Sequence, residues 1–532
     1  MMESSCRYIE YAQTGMFSKL ITDYLSGNQH VNAFVRHLPD AQGVKKAIED
    51  RQKFPTNRKL LQDVFLETYP TPTSAQKKNM ALLSGENTFT ICTAHQPNIF
   101  SGYLYFIYKT AHTIALAQKL KADFPACDFV PVFYIGSEDN DLDELSKFKI
   151  NGKPYRWETD QTGAVGRMKV DKGVTALLHA VESELAHMPH ASDLMAILRK
   201  AYAEGNDMAE ASFHLLNQLF GEEGLLVLQP DKSDLKQQIK NIMRDDLLSQ
   251  TAEKVVTVTS HQLDETYKLQ VNPRPVNLFY LRDGIRNRID KRGNQYSVDG
   301  TIIRFSEEEI LRELDEYPER FSPNVILRGI YQETILPNII FVGGGSEVAY
   351  WMQLKGLFEH YHVPYPVLVL RNSFMIMDAH QEHKMKELGI GDAALFMEET
   401  ALANQMVQQW SDYDLSLEKE EKESKQLFDA LRKRAGEVDK TLVQHVFALE
   451  TFHMKKLESL EKKMLKAERN KQSVQLQRIW KLKAELFPNN SLQERSENFM
   501  PYYSRYGQDF IQTVLKHSLA LVQRFGVIVL NS

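Results

Sequence analysis

The sequence predicts an α/β protein, in which a doubly wound parallel sheet is interrupted by two insertions and followed by an α-helical coiled coil. Short runs of apolar and β-branched residues, the pattern of strands buried on both faces, recur along the chain, and polar loops or glycines follow them. The stretch from about residue 417 to 486 differs, because it is highly charged and nearly free of glycine and proline. The five predicted core strands are 88–93, 128–136, 224–230, 338–342 and 366–370.

Composition narrows the class of protein. The chain has 532 residues, of which 43% are hydrophobic and 25% charged, as in soluble globular proteins. A formal net charge of -6 argues against a nucleic-acid partner, and no apolar window is long enough to predict a membrane span or a secretory signal. Three scattered cysteines are too few for a disulfide framework or a thiolate zinc site. We therefore expect a cytoplasmic protein without nucleic-acid or membrane partners.

The division of the chain follows its changes in composition and periodicity. Repeated X-Pro breaks mark the N-terminal part, and the two insertions fall after the second and third predicted strands. The predicted segments are 1–86, an N-terminal helical cap packed on the core; 87–148, the first part of the core; 149–222, the first insertion; 223–231, a core strand; 232–330, a β-rich second insertion; 331–400, the second part of the core; 401–490, the coiled coil; and 491–532, a C-terminal segment that packs back on the core.

The loop after the first core strand is the first predicted place for chemistry. It reads Ala94-His95-Gln96-Pro97-Asn98, and helical periodicity resumes shortly after it. In open α/β sheets, ligands bind outside the carboxyl ends of the strands, and a helix N-terminus favours anions. The alternative is that His95 is a hydrogen-bonded loop residue that caps the helix.

The second core strand runs directly into an acidic stretch that includes Glu138, Asp139, Asp141, Asp143 and Glu144. So many carboxylates at the end of a strand cannot all be buried without partners. They either begin a helix, where the dipole favours acidic residues, or they bind a cation such as an ammonium group or Mg²⁺.

The two insertions carry turn signals of their own. Asn151-Gly152 between extended residues predicts a hairpin in the first insertion. In the second, the segments 277–283, 289–292 and 295–305 alternate and turn like a small β-rich unit, with Asp-Gly pairs at 283–284 and 299–300.

The fourth and fifth core strands also end in residues suited to ligands. Gly343, Gly344 and Gly345 let the backbone approach a ligand closely and offer it N–H groups, although a tight turn with positive φ would also explain them. Arg371 follows the fifth strand and is a natural partner for an anion.

The charged C-terminal stretch predicts a short antiparallel coiled coil. Leu442, Val446 and Leu449 recur at helical spacing, and after a slip Leu457 and Leu460 do so again. Such a stripe needs a partner helix, either from the same chain or from a second subunit.

Five blocks of the chain, taken in order, carry a family resemblance. They are TAHQPNIFSGYLYFIYKT, FVPVFYIGSEDNDLDEL, SPNVILRGIYQETILPNIIFVGGGSEVAYWMQLK, PVLVLRNS and LQERSENFMPYYSRYG. In this order they resemble the bacillithiol biosynthesis cysteine-adding enzymes, a family of cysteine ligases also called bacillithiol synthases, and the resemblance covers essentially the whole chain. Two positions differ from the family's usual pattern: Asn140 stands where the family often has a His among the acids, and Ala94 stands where it often has a Gly before His95.

The resemblance implies a Rossmann-like core related to class I synthetases and nucleotidylyltransferases, with two connecting-peptide insertions and a coiled coil that supports a homodimer. It also implies the last step of bacillithiol synthesis, in which L-cysteine is joined through its carboxyl group to the amine of glucosaminyl malate. Two alternatives stay open: another synthetase or nucleotidylyltransferase on the same core, and a coiled-coil scaffold that binds a metabolite. The scaffold hypothesis predicts that His95, the acidic stretch and the glycine turn do not converge.

These considerations assign roles to individual residues. The catalytic candidates are His95, Gln96, Glu138, Asp139 and Asp141. The candidates for binding substrate or nucleotide are Asn98, Gly102, Arg328, Gly343, Gly344, Gly345, Arg371, Asn372 and Ser373, with Arg328 assigned to a malate carboxylate. We expect Lys109 at the surface, with contact to the same bound anion as the alternative. Gln332, Glu333 and Asn338 either bind the sugar or have capping and packing roles. No protein metal site is predicted; ATP and Mg²⁺ are expected from the energetics of amide formation and from the resemblance, since no nucleotide motif occurs.

Overall fold

The structure, a computed structural model, describes residues 3–531 and divides into two compact units. The first unit comprises residues 3–12, 16–377 and 491–531, and the second comprises Gln13–Gly15 and Asp378–Asn490. The strands, in chain order, are β1 (Ser4–Ile9), β2 (Thr88–His95), β3 (Asp128–Ile135), β4 (Lys147–Ile150), β5 (Lys153–Arg156), β6 (Leu226–Leu228), β7 (Leu278–Arg282), β8 (Ile285–Arg292), β9 (Gln295–Val298), β10 (Arg304–Ser306), β11 (Phe321–Pro323), β12 (Asn338–Gly343), β13 (Val367–Leu370), β14 (Phe374–Asp378) and β15 (Phe525–Leu530).

The helices cover most of the remaining chain. They are α1 (Tyr11–Thr14), α2 (Lys19–Leu25), α3 (Gln29–Asn32), α4 (Ala41–Arg51), α5 (Arg58–Thr68), α6 (Ser74–Leu82), α7 (Tyr105–Asp123), α8 (Leu142–Leu145), α9 (Lys172–Leu185), α10 (Ala191–Ala201), α11 (Met208–Phe220), α12 (Ser233–Gln237), α13 (Lys240–Ser249), α14 (Thr251–Asp264), α15 (Glu307–Glu316), α16 (Val325–Ile335), α17 (Gly345–Gln353), α18 (Lys355–His360), α19 (Ala379–Leu388), α20 (Glu399–Trp410), α21 (Glu418–Val438), α22 (Leu442–Lys471), α23 (Ser473–Leu486), α24 (Met500–Tyr506) and α25 (Gln508–His517). Within the described range, none of these helices is both long and apolar enough to cross a membrane.

The predicted parallel sheet is confirmed. Its strand order is β13-β12-β2-β3-β6, and every neighbouring pair runs parallel. The chain builds outward from β2 through β3 to β6, then returns to the other side of β2 with β12 and β13. The order therefore reverses between β2 and β12, which is the switch point where ligands bind in doubly wound folds.

The central strands are buried because helices cover the sheet. Phe89 and Ile91 of β2 and Ile340 and Val342 of β12 lie in one apolar cluster with side chains from α4 and α7. Continuous apolar runs are expected for strands covered on both faces, which is why the sequence pattern located them.

Both insertions contain the predicted β structure. β4 and β5 pair as an antiparallel hairpin whose turn residues, Asn151 and Gly152, have φ of 50° and 77°. In the second insertion, an antiparallel sheet has the order β10-β9-β8-β7-β11, and Gly284 and Gly300 adopt positive φ in its turns. The assignment of these segments as connecting-peptide insertions stays a prediction, as do the boundaries of the eight segments.

The N-terminal part differs from the prediction of helices and loops alone. It begins with β1, which pairs antiparallel with β15, and β15 also neighbours β14. The sequence of β1, SSCRYI, is too polar to show the pattern of a buried strand. Its partner strand is more than 500 residues away in sequence, so only the tertiary structure reveals the pairing.

The predicted antiparallel coiled coil is confirmed in the second unit. α21 and α22 are joined by a short turn and pair along their lengths within one chain. Ser424 on α21 forms a hydrogen bond with His453 on α22, and Arg432 on α21 forms an ion pair with Glu450 on α22. Residue numbers therefore rise on one helix as they fall on the other, so the pair is antiparallel. The partner helix of the apolar stripe therefore comes from the same chain.

Candidate active site

A cavity of about 500 Å³ lies at the carboxyl edge of the parallel sheet, in the first unit. Its walls come from the ends of β2 and β3, the turn after β12, and parts of α7, α16 and α17. Its volume is that of a typical small-molecule site. The sequence-predicted site residues that line it are His95, Gln96, Glu138, Asp139, Arg328, Gly344, Gly345 and Arg371.

His95 is the last residue of β2, and its ring packs against those of Tyr105 and Phe106 with centroids 5.3 and 5.7 Å away. Its Nε2 atom is buried without a hydrogen-bond partner. Burial, reinforced by the charge of Lys109, lowers the pKa of His95 to about 3. The imidazole is therefore neutral at physiological pH. It does not cap α7, which begins after Leu104 without a side-chain cap, so the capping alternative is wrong.

The loops after β2 and β3 are tied together at the cavity. The Gly136 N–H donates to the His95 carbonyl over 2.7 Å, and Gln96 Nε2 donates to Asp139 Oδ2 over 3.2 Å. Asp139 Oδ1 in turn accepts the Asp141 N–H. The two loops that the sequence singled out are therefore in direct contact.

Glu138 is the most deeply buried acid of this group. It forms an ion pair with Lys236, which also lies 3.1 Å from Asp231, and it accepts a hydrogen bond from Ser322 Oγ. Burial raises the pKa of Glu138, although the Lys236 ammonium opposes the shift. The pKa of Asp231 shifts in the opposite direction, because Lys236 and Arg167 together lower it despite the burial of this carboxylate.

The acidic stretch divides between the two roles that the sequence left open. Asp141 caps the short helix α8 by accepting the Glu144 N–H, and Asp143 pairs with Lys147 at the surface. Neither of them lines the cavity, whereas Glu138, Asp139 and Glu144 do. The prediction of a catalytic role for Asp141 thus conflicts with its position, because helix capping already engages its carboxylate.

Sequence reasoning missed Arg286, which reaches the cavity from β8 in the second insertion. Its guanidinium donates to Asn140 Oδ1 and Ser322 Oγ, while Asn140 Nδ2 donates back to its carbonyl. Asn140 therefore holds the β-rich sheet against the acidic loop. No local sequence signal could have indicated this pairing.

The glycine turn begins α17 beside His95. None of Gly343, Gly344 and Gly345 has positive φ, so the alternative of a strained turn is wrong. A Cβ on Gly343 would collide with the Phe341 ring at 2.8 Å, which gives that glycine a packing role outside the cavity. Cβ atoms on Gly344 and Gly345 would meet only ordinary contacts of 3.4 Å or more. Their missing side chains leave space in the cavity itself.

Lys109 is buried, and the prediction of a surface lysine is wrong. Its side chain is 1% exposed, and Nζ donates to the Ala94 carbonyl over 2.6 Å and to Glu347 Oε2 over 2.7 Å. Burial lowers the pKa of Lys109, and Glu347 opposes the shift. The signal was present in the sequence, because Lys109 is the single charged side chain in the first part of α7, residues 105–117, and such a position indicates a buried, paired charge.

Arg328 carries a positive charge that no carboxylate of the described chain pairs directly. Its guanidinium donates to the Tyr350 hydroxyl and to Gln332 Oε1, and it lies 5.7 Å from the centre of the Tyr134 ring. Both main partners are neutral side chains. Arg328 is thus available to an anionic ligand, and its assignment to a malate carboxylate stays a prediction.

Arg371 has a different status, because a carboxylate already neutralises it. Its two terminal nitrogens each lie 2.8 Å from a Glu494 oxygen, and both side chains are buried. Ser373 Oγ also donates to Glu494, and the Asn372 N–H donates to His112 Nδ1, so both residues lie behind Arg371. The predicted ligand contacts of Asn372 and Ser373 conflict with this position, since neither residue lines the cavity.

Asn98 and Gly102 shape the loop after β2 without reaching the cavity. Asn98 is 2% exposed and accepts the Ser101 N–H through its carbonyl. Gly102 has φ of 65°, and a Cβ there would lie 3.1 Å from the Asn98 side chain. Their predicted role in direct ligand binding is therefore replaced by a role in loop conformation.

The segment that includes Gln332, Glu333 and Asn338 packs against the N-terminal part. Arg51 donates to the Glu333 carboxylate over 2.8 Å, and both side chains are almost fully buried. Gln332 and Asn338 donate to the other Glu333 oxygen. The packing alternative is therefore correct for these residues.

Comparison with known proteins agrees with this architecture. The family description "Bacillithiol biosynthesis BshC, N-terminal Rossmann-like domain" matches residues 3–372, and "Bacillithiol biosynthesis BshC, C-terminal coiled-coil domain" matches residues 374–530. A Flavobacterium johnsoniae protein named "Putative cysteine ligase BshC" is 38% identical over 99% of this chain and 100% of its own length. A protein of the same name from Flavobacterium psychrophilum is 37% identical over 99% of both chains. With both domains matched, and in the order in which the structure has them, the chain belongs to the bacillithiol biosynthesis BshC family.

Proposed function

We propose that the protein is a cysteine ligase that joins the carboxyl group of L-cysteine to the amine of glucosaminyl malate, the last step of bacillithiol biosynthesis. The names of its relatives support a cysteine ligase. The observation that carries the proposal is the convergence of neutral His95, open Gly344 and Gly345, and acidic Asp139 on one cavity at the switch point of the sheet. The alternative of a metabolite-binding scaffold predicted that these groups would not converge.

The acidic side of the cavity suits the attacking amine. The Asp139 carboxylate is bonded to the neutral amide of Gln96 and to the Asp141 N–H. Within the described residues no cation forms an ion pair with it, although the charge of Arg286 acts on it from a greater distance. In our proposal Asp139 accepts the proton that the amine loses as the C–N bond forms and the bond between the cysteine carbonyl carbon and the phosphate oxygen of its activated carboxyl breaks, with the phosphate leaving. His95 is a poor candidate for this base, because a pKa of about 3 makes it too weak near neutral pH.

Another part of the cavity lining suits an oxyanion. Within the described residues no carboxylate pairs with Arg328, and α17 begins at Gly345, which lines the cavity. The N–H of the preceding Gly344 is already bonded to Glu347. A phosphate of ATP fits this combination, and ATP would supply the activation that a free carboxylate needs before an amine can attack it. Mg²⁺ remains part of the proposal, since an ion held mainly by phosphate oxygens and water needs only one or two protein carboxylates.

A product assay tests the proposed reaction. Purified protein is incubated with glucosaminyl malate, L-cysteine, ATP and Mg²⁺, each omitted in turn, and bacillithiol is followed by mass. We expect product only from the complete mixture. Product without ATP would contradict the activation route, and no product under any condition would contradict the ligase.

A pair of variants tests the role of Asp139. Asp139→Asn should abolish most of the rate, whereas Asp143→Asn, in the same stretch but exposed and outside the cavity, should retain it. Equal rates in the two variants would refute Asp139 as the proton acceptor. Circular dichroism of both variants checks that the fold is kept.

We also propose a homodimer formed through α21 and α22. Although these helices pair within the chain, Leu427, Leu449 and Phe452 remain 58%, 48% and 62% exposed on them. Phe452→Glu should reduce the mass measured by sedimentation to that of a monomer, and Lys463→Glu serves as the control. An unchanged mass in the Phe452→Glu variant would contradict this interface. A cytoplasmic location stays a prediction.

A further inference from the structure

Residues 493–498 form a strap that ties the loops around the cavity together. Gln493 bonds both the N–H and the carbonyl of Ile376, over 2.8 and 2.9 Å, and is 5% exposed. Glu494 pairs with Arg371, as described above. These two anchors fix one end of the strap to the chain after β13.

The other end of the strap holds the loop after β2. Asn498 Nδ2 donates to the carbonyls of Phe100 and Gly102 over 2.9 and 2.6 Å, and the Glu497 carbonyl accepts the Leu104 N–H. Phe100, Ser101 and Gly102 all have positive φ, a conformation that non-glycine residues adopt only when their surroundings hold them in it. The strap is therefore fixed by buried polar contacts on both sides of its centre.

Arg495 lies at that centre and differs from its neighbours. Its side chain is exposed and lines the cavity, whereas Glu494 and Ser496 on either side are buried. Within residues 3–531 its guanidinium makes no hydrogen bond or ion pair, and its nearest ring contact is Phe17 at 5.9 Å. A rigid strap thus presents an unpaired guanidinium to the cavity.

The local charge balance favours an anion at this point. Two guanidinium groups, those of Arg371 and Arg495, share the single carboxylate of Glu494, and both Glu494 oxygens are already bonded to Arg371. Partial desolvation of the guanidinium and the neighbouring charge of Arg371 lower the pKa of Arg495, although Glu494 opposes the shift. An oxyanion bound here would relieve the repulsion between the two cations.

We propose that Arg495 binds an oxyanion of a substrate in the cavity, either a carboxylate of the acceptor or a phosphate of the nucleotide. This assignment rests on the proposed function. The strap fixes the position of Arg495, so its guanidinium meets the ligand with little loss of conformational freedom.

Calorimetric titration tests this proposal without depending on turnover. Wild type, Arg495→Gln and the control Arg312→Gln are each titrated with glucosaminyl malate and, separately, with ATP and Mg²⁺. Arg312 is also exposed, but it lies on α15 and outside the cavity. Because Arg495 makes no hydrogen bond or ion pair within residues 3–531, its substitution should leave the melting temperature unchanged.

We expect Arg495→Gln to weaken the binding of one compound by tenfold or more and to leave the other unchanged. Weaker binding of glucosaminyl malate identifies the carboxylate, and weaker binding of ATP identifies the phosphate. Wild-type affinity for both compounds in Arg495→Gln would overturn the inference while leaving the proposed function intact. If wild type binds neither compound, the proposed function fails, and the ligand assigned to Arg495 fails with it.

Discussion

The buried ion pair between Arg371 and Glu494 makes a quantitative prediction. Glu494 is fully buried and accepts two N–H bonds of 2.8 Å from Arg371, together with the Ser373 hydroxyl. Glu494→Gln conserves the size of the side chain but removes its charge. Arg371 then keeps a buried positive charge without a counter-ion, which typically costs about 3–5 kcal/mol.

The measurement must follow the unfolding of the first unit alone, because a chain with two units need not unfold in one step. Trp157 and Trp351 are buried in the first unit, and Trp410 and Trp480 lie in the second. In a background with Trp410→Phe and Trp480→Phe, urea unfolding followed by tryptophan fluorescence therefore measures the free energy of unfolding of the first unit.

A matched pair and a double variant complete the experiment. Glu67→Gln breaks an ion pair of similar length with Lys232, but Glu67 is 72% exposed, so solvent screens the pair and we expect little loss of stability. Replacing both buried partners, as Arg371→Met with Glu494→Leu, should recover most of the lost stability, because no unpaired charge remains. A loss in Glu494→Gln no larger than that in Glu67→Gln would refute the reasoning.

Three further predictions follow from the site. Gly345→Ala should leave the urea midpoint unchanged, since its Cβ would meet only Ile21 at 3.5 Å. It should nevertheless lower kcat/KM about tenfold or more, equivalent to roughly 1.4 kcal/mol, because the added methyl group takes space in the cavity. An unchanged kcat/KM would show that the glycine does not leave space for the ligand. The pKa of His95 is about 3 in the folded protein and near 6.5 unfolded, so its contribution to stability is complete above pH 6.5 and is lost as the pH falls towards 3. Between pH 6.5 and 4, unfolding measurements should therefore show a pH slope shallower in His95→Phe than in wild type by up to about 1.4 kcal/mol per pH unit, and equal slopes would contradict a buried neutral imidazole. Asn498→Ala leaves the carbonyls of Phe100 and Gly102 without their side-chain donor. Amide hydrogen exchange in residues 98–104 should therefore accelerate, while exchange in α9 stays constant. Unchanged exchange in the loop would contradict the proposal that the strap holds it.

Local patterns in the amino-acid sequence were sufficient to predict part of the fold. Continuous apolar runs located all five strands of the parallel sheet, since strands covered on both faces need apolar side chains at every position. The Asn151-Gly152 turn and the apolar stripe of α22 were equally local signals. They also predicted where the loops of the candidate site begin, because those loops follow the carboxyl ends of the strands.

The strand order and the pairing of charges could be seen only in the folded protein. The order places β12 beside β2, which brings Gly344 next to His95 although they are far apart in the sequence. Local sequence patterns could not distinguish Arg371, which Glu494 neutralises, from Arg328, which pairs with no carboxylate among residues 3–531. The physical reason is that the state of a buried charge depends on its nearest counter-charge, and in this protein that counter-charge comes from a distant part of the chain.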